Sequence, residues 1–289
     1  MKKILFLLLL AACTDSNHNY ECINKIKALD KKMPPLRAGD WLNAHHEDGQ
    51  TFKEYTNCKP VRTNVTENVI YLMPVGEFSV LEDTLIQHTA DYLSLYFDLN
   101  VNVMAAISDS VIPKQNRRIN GYTNEEQLMT SYILDSLVLL RKPKNCIVAM
   151  AITSKDLYPS ETWNFVFGQS YIYKKAAVSS FDRYKTGKLN AENYPKVLER
   201  LIKTASHEIG HAFSIKHCTN AICVMNGSNG MEESDSRPNA PCSVCLRKLY
   251  WNLGFEVQQR NDKLTQYFMN HLLWSDYKNM QNIGIEMSL

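Results

Sequence analysis

The sequence has no apolar run long enough to cross a bilayer. The run from Ile4 to Leu10 falls well short of the ~20 residues a spanning helix needs, so a multi-span membrane protein is excluded. Neither sign of charge is in excess: 32 Lys+Arg stand against 30 Asp+Glu, which removes a broadly basic nucleic-acid binder. Glycine is scarce, 11 of 289 residues, far from the one-third that a collagen-like rod requires. There is no internal repeat and no low-complexity tract. At 45% hydrophobic and 21% charged residues, the composition is ordinary for a globular protein and not for a disordered one. Its length allows one large domain or two small ones, with enough apolar material for a core without covalent staples.

The N-terminus reads as an address. Lys2 and Lys3 precede the short apolar run, and Ala11 and Ala12 lead directly into Cys13. A basic start, a short apolar stretch and small residues before a cleavage point form an export signal over residues 1–12. Leu10-Ala11-Ala12-Cys13 resembles the bacterial lipobox, in which the cysteine becomes the lipidated first residue. The expected location is therefore exported and lipid-anchored to a bacterial membrane, on the periplasmic or cell-surface side. Acyl chains on one chain end suffice to hold a soluble domain at a membrane surface. Without the two leader lysines, 30 basic and 30 acidic side chains remain. Residues 13–60 are expected to be a tether and N-terminal extension, with polar Thr14 to Glu21 and an extended stretch through Pro34, Pro35 and Gly39. The remaining 61–289 form the main domain.

In that domain, strand and helix patterns alternate. Val69 to Met73, stopped by Pro74, reads as a buried strand. Leu81 to Phe97 has helical spacing. Val101 to Ile107 and Cys146 to Ile152 read as strands. Asn124 to Leu140 reads as a helix with Leu128, Ile133, Leu137 and Leu140 inward. Phe165 to Ser180 reads as a strand pair with Gly168 as a bulge. Leu264 to Trp274 reads as an amphipathic C-terminal helix. The fold class is α/β (α+β): a mostly parallel mixed sheet with crossover helices and an antiparallel edge strand along which a peptide could lie.

Ala191 to Phe213 is a long helical pattern that carries the chemistry. Val197, Leu198, Leu201, Ile202, Ala205, Ile209, Ala212 and Phe213 fill about half of its circumference. His207 and His211 are four apart and stack on one face beside that arc. Glu208 falls at the arc's edge, where a carboxylate is costly unless paired or used. His-Glu-x-x-His on a helix can hold one zinc with the carboxylate beside it. His217 follows six residues after His211. On a continued helix it would lie about 9 Å further along and about 120° around, so a shared metal requires the chain to stop and turn back. The resulting three-histidine spacing is that of metzincin peptidases. Ser214 stands where that pattern normally has glycine, and a left-handed serine costs about 1–2 kcal/mol. Met225, followed by the turn residues Asn226, Gly227 and Ser228, stands where metzincins have their Met-turn.

Cys218, Cys223, Cys242 and Cys245 form two close pairs. They fit a tetrahedral structural zinc; two disulfides are the competing arrangement in an oxidising compartment. A zinc there would clamp the loop leaving His217 to the helix that starts near Cys242.

The run His207-Glu-Ile-Gly-His-Ala-Phe-Ser-Ile-Lys-His-Cys218, then Cys223-Val-Met225, then Cys242-Ser-Val-Cys245-Leu-Arg-Lys-Leu, resembles the archaemetzincins. Gly39-Asp-Trp-Leu42 with Gln50-Thr-Phe52, Asp156-Leu-Tyr-Pro159, Trp163 to Gln169, Glu232-Glu233 and Arg237-Pro238 are similar to the longer, animal-type members. The resemblance spans about Gly39 to Phe255. It implies a zincin-like fold with two zinc ions per chain, a catalytic one on His207, His211 and His217 and a structural one on Cys218, Cys223, Cys242 and Cys245. It also implies peptidase activity on peptide or protein substrates, with Glu208 as general base and acid. The alternative is a non-catalytic, zinc-stabilised, peptide-binding lipoprotein. A second rival puts Glu232 or Glu233 on the metal in place of His217. No nucleic-acid partner is expected. His45, His46, Glu47 and Asp48 read as a solvated loop, Cys146 as a buried apolar residue, and Cys22 and Cys58 as a pair that sequence leaves open.

Overall fold

The computed structural model describes residues 16–289; the leader at 1–12 and Cys13 lie outside the described residues. A five-stranded sheet organises the chain in the order β2-β1-β5-β8-β7. Its strands are β1 (Val69–Val75), β2 (Asn100–Val103), β5 (Cys146–Thr153), β7 (Gly168–Tyr171) and β8 (Ala176–Ser180). The first four in that order pair in parallel, and β7 runs antiparallel along the edge. A smaller sheet joins β3 (Arg117–Ile119), β4 (Glu126–Met129) and β6 (Asp156–Tyr158).

Side-chain alternation explains why the main sheet is covered on both faces. In β5 every residue is buried. Val148, Met150 and Ile152 enter the larger core, which contains the helices Val80–Phe97 and Tyr194–Ala212. Ala149 and Ala151 face the smaller core, filled by Ile133, Leu134, Leu137 and Val138. Helix Val80–Phe97 starts at a capping box, with Ser79 and Glu82 bonding each other's backbone N–H groups. Gly168 pairs in register with Ser179, without a bulge. No described helix is long and apolar enough to cross a membrane.

Several elements depart from the expected boundaries. Strand β1 continues through Pro74, which is in register with Ile152. Its carbonyl accepts from Ile107 N on the side where β2 has already ended, so the missing N–H removes no ladder bond to β5. Glu126–Met129 is strand β4 rather than the start of a helix. The helical segment runs from Thr130 to Arg141 with a π turn at Ile133–Val138. That wide turn shifts the inward face and leaves Leu140 exposed. At the C-terminus two helices, Val257–Asn270 and Trp274–Ser288, meet at Leu272, whose φ of +60° breaks the run.

The stretch read as a tether, Thr14 to Glu21, is helical from residue 16 on. Residues 16–26 are helical, and Cys22, Ile23 and Ile26 are buried in the larger core together with Tyr55. Apolar side chains spaced three and four apart drive that docking. Cys22 and Cys58 are both free. Cys146 is buried in β5, and burial pushes its thiol up to about 12.

Candidate metal centres

Helix Tyr194–Ala212 presents Val197, Leu198, Leu201, Ile202, Ala205, Ile209 and Ala212 to the core, all fully buried. Pro195 is tolerated because it lies in the first turn. The helix stops through a Schellman arrangement: Ser214 N–H donates to the His211 carbonyl and Ile215 N–H to the Gly210 carbonyl. Ser214 supplies the left-handed residue, at φ +70°. Its hydroxyl accepts from Val61 N–H and donates to the Ile172 carbonyl, both at 3.1 Å. That bridge to two other segments holds the turn in place of the usual glycine.

The chain then doubles back and brings His217 to the other two histidines. Ring centroids stand 4.5 Å apart for His207 and His211, 5.2 Å for His207 and His217, and 4.8 Å for His211 and His217. The Nδ1–H of His207 donates to the Val224 carbonyl at 2.8 Å, and that of His211 to the Ile215 carbonyl at 2.6 Å. These bonds fix the tautomer, so both Nε2 atoms carry lone pairs. They face each other at 2.9 Å, a repulsive approach unless a cation lies between them. Burial, then the neighbouring His217, holds His207 down to about 3. Burial, then His207 and His217, holds His211 well below its usual value. Neutral imidazoles with convergent lone pairs fit a zinc ion.

Glu208 lies between the histidine helix and the sheet edge. A Cβ on Gly168 would come within 2.8 Å of its Cγ and Oε1, so β7 approaches the carboxylate as closely as only glycine permits. Burial pushes the Glu208 pKa up to about 8. Met225 is buried under the same helix: a Cβ on Gly210 would meet its sulfur at 2.6 Å. These groups open onto a cleft of about 630 Å³ whose walls include Trp41, Trp163, Phe167, Lys203 and Arg237.

The four cysteines Cys218, Cys223, Cys242 and Cys245 form a second, fully buried cluster. They are free thiols, with Cys218 and Cys242 sulfurs 3.6 Å apart. Four thiolates at zinc–sulfur bonds of about 2.3 Å stand about 3.8 Å from one another, whereas a disulfide bond is about 2.05 Å long. Burial holds the Cys223 thiol up, and hydrogen bonds from Cys223, Cys242 and Cys245 pull Cys218 down. Backbone N–H groups of Met225 and Cys242 donate to the Cys223 sulfur, at 3.4 and 3.2 Å. This donor set also fits zinc.

The two clusters share one loop, because Val224, which orients His207, lies between Cys223 and Met225. Glu233 is engaged elsewhere, by the N–H groups of Trp41 and Asn229 and by Arg237. The Glu232 side chain is 94% exposed. Neither glutamate replaces His217.

The segment read as a solvated loop is part of the site. Glu47 accepts from His217 Nδ1 at 2.8 Å. Burial works to raise its pKa, but the hydrogen bond and charge of His217 outweigh this and lower it. Trp41 packs edge-on against the His217 ring at 5.1 Å, and His45 stacks on Trp163 at 5.7 Å. His46 is not in the cluster. Glu47 and His217 are 170 positions apart, so no local spacing announces the pair; the only signal in reach was an acidic residue beside the Gln50-Thr-Phe52 motif.

Residues 66–250 match the family model for peptidase family M54. A rat (Rattus norvegicus) protein named Archaemetzincin-2 is 32% identical over 259 residues, covering 79% of this chain and 72% of its own length. Archaemetzincin from Pyrococcus furiosus is 29% identical over 188 residues, covering 65% of this chain and 95% of its own. The crystal structure of archaemetzincin from Methanopyrus kandleri superposes with a TM-score of 0.51 at 25% identity. It covers 66% of this chain and 98% of the solved one.

Proposed function

The chain belongs to peptidase family M54, and from that premise we propose that it hydrolyses peptide bonds at a zinc ion held, in the metzincin manner, by His207, His211 and His217. The observation that carries this reading is the convergence of their three imidazoles beside the buried carboxylate of Glu208. Zinc bound there supplies Lewis acidity, polarising the scissile carbonyl and acidifying water. Glu208 takes up the proton of the attacking water and delivers it to the leaving amine. Its burial favours the protonated state needed for that second step. Gly168 keeps β7 close to the carboxylate, and this edge strand can receive an extended peptide by adding one more ladder.

A second zinc on Cys218, Cys223, Cys242 and Cys245 fastens the loop bearing Val224 and Met225, giving two per chain. The purely binding alternative leaves Glu208 without a use, although its burial without a cationic partner is costly. At the other end of the chain, Cys13 is the lipidation site and residues 1–12 the removed signal. The protein is exported and anchored at a bacterial membrane.

Metal analysis and one substitution test the reading. Purified protein is expected to carry two zinc ions, and Glu208→Gln to keep both while peptide hydrolysis falls by at least about 10³-fold. Undiminished hydrolysis by that variant would remove Glu208 from its role.

A further inference from the structure

His217 differs from the other two histidines in how its ring is held. His207 and His211 lie on the helix and are locked by carbonyls of Val224 and Ile215, all within the family-matched region. His217 lies beyond the helix end, in a loop. The groups that hold its ring come from residues 41–47, outside that region. Glu47 accepts its Nδ1 proton through both oxygens, at 2.8 and 2.9 Å, and the Trp41 indole packs on the ring.

The segment that delivers these groups is fastened on both sides of the site. Trp41 N–H donates to Glu233, and Asn229 Nδ2 donates to the Gly39 carbonyl. A Cβ on Gly227 would fall 2.3 Å from the Trp41 ring, so the indole lies flat against the turn after Met225. At the other end, Gln50 donates to the Ser214 carbonyl and accepts from Lys216 N–H, bracketing the turn that carries His217. Lys248, buried, donates to the Gln50 carbonyl. With these anchors, the position of Glu47 is set by the scaffold.

We propose that Glu47 is a positioning residue for the third metal ligand. Its carboxylate fixes the His217 tautomer with Nε2 free, aims that nitrogen at the cation, and makes metal retention depend on docking of the 39–50 segment. A carboxylate behind a metal-bound imidazole raises its basicity as a ligand. The inference rests on the three histidines holding the cation.

The test is metal release from the full-length chain loaded with cobalt(II). Release into a chelator is followed by absorbance, and the thiolate-to-cobalt charge-transfer band reports the cysteine site separately. Glu47→Ala is expected to speed release from the histidine site by about 10–100-fold. Glu47→Gln should do so less, because its amide oxygen still accepts the Nδ1 proton. Asp48→Asn removes the same charge from the same segment without touching His217, and is expected to release at the wild-type rate. The cysteine-site rate should not change in any variant. Wild-type release by Glu47→Ala overturns the proposal. So does acceleration of both sites together, which is general loosening, or equal acceleration by Asp48→Asn, which is charge acting through space. Absence of cobalt from the histidines of the unaltered chain overturns the reading of the site itself, and this inference with it.

Discussion

Ser214 is under two opposing influences. Its left-handed backbone is unfavourable for a residue with a Cβ by about 1–2 kcal/mol, while its hydroxyl bridges Val61 N–H and the Ile172 carbonyl, each bond contributing about 0.5–1.5 kcal/mol. Glycine would relieve the strain and lose both bonds; alanine would keep the strain and lose both bonds. Chemical denaturation should therefore rank Ser214→Ala below Ser214→Gly, with alanine down by about 2 kcal/mol and glycine within about 1 kcal/mol of the parent. The reverse order would mean that the left-handed turn imposes no strain on a Cβ, and an alanine variant as stable as the parent would mean that the hydroxyl contributes nothing. The histidines, Glu208 and the thiols were legible because helical spacing and short Cys pairs leave local traces. The bridge at Ser214 and the contact of Glu47 with His217 were not, because their partners lie 42 to 170 positions away.

Among the elements, the segment from His217 to Cys245, a loop that runs into the helix Ser243–Leu253, links the two metal clusters. It carries the carbonyl that orients His207, the methionine under Gly210 and all four thiols. Breaking the thiol cluster should therefore be felt at the histidines. Cys245→Ser is expected to lower stability by more than about 4 kcal/mol, as loss of a structural metal does. It should also weaken zinc binding at the histidine site; thermal unfolding and equilibrium dialysis check both. An unchanged histidine site would show that the helix alone holds its geometry. The strands of the main sheet and the helices Val80–Phe97 and Tyr194–Ala212 could be read from periodicity. The segment from Glu126 to Arg141 could not, because four residues with two buried neighbours satisfy either period. Its strand is settled by pairing with Asp156–Tyr158 and by Gln127, whose buried amide donates to Asp156 and to the Asn164 carbonyl.

Across the molecule, residues 16–60 pack into the same body as the family-matched region, although they lie outside the match at 66–250. Cys22, Ile23, Ile26 and Tyr55 are fully or nearly fully buried, and each such side chain contributes about 1.5–3 kcal/mol. Together they are comparable with the ~5–15 kcal/mol by which a whole domain is stable. A chain starting at residue 61 is accordingly expected to show no cooperative thermal transition; a sharp one would restore a division at that point. Polar residues Thr14 to Glu21 read as a tether because a helix with only three buried apolar positions leaves a weak pattern, and its docking surface comes from distant parts of the chain. The sequence has four tryptophans, and two of them, Trp41 and Trp163, stand 6.3 Å apart on the wall of the cleft. Trp251 lies under Arg62, and Trp274 is on the C-terminal helix. The molecule thus carries its own optical reporter: an unlabelled peptide settling against those indoles is expected to alter ultraviolet emission, so that occupancy could be titrated without a dye.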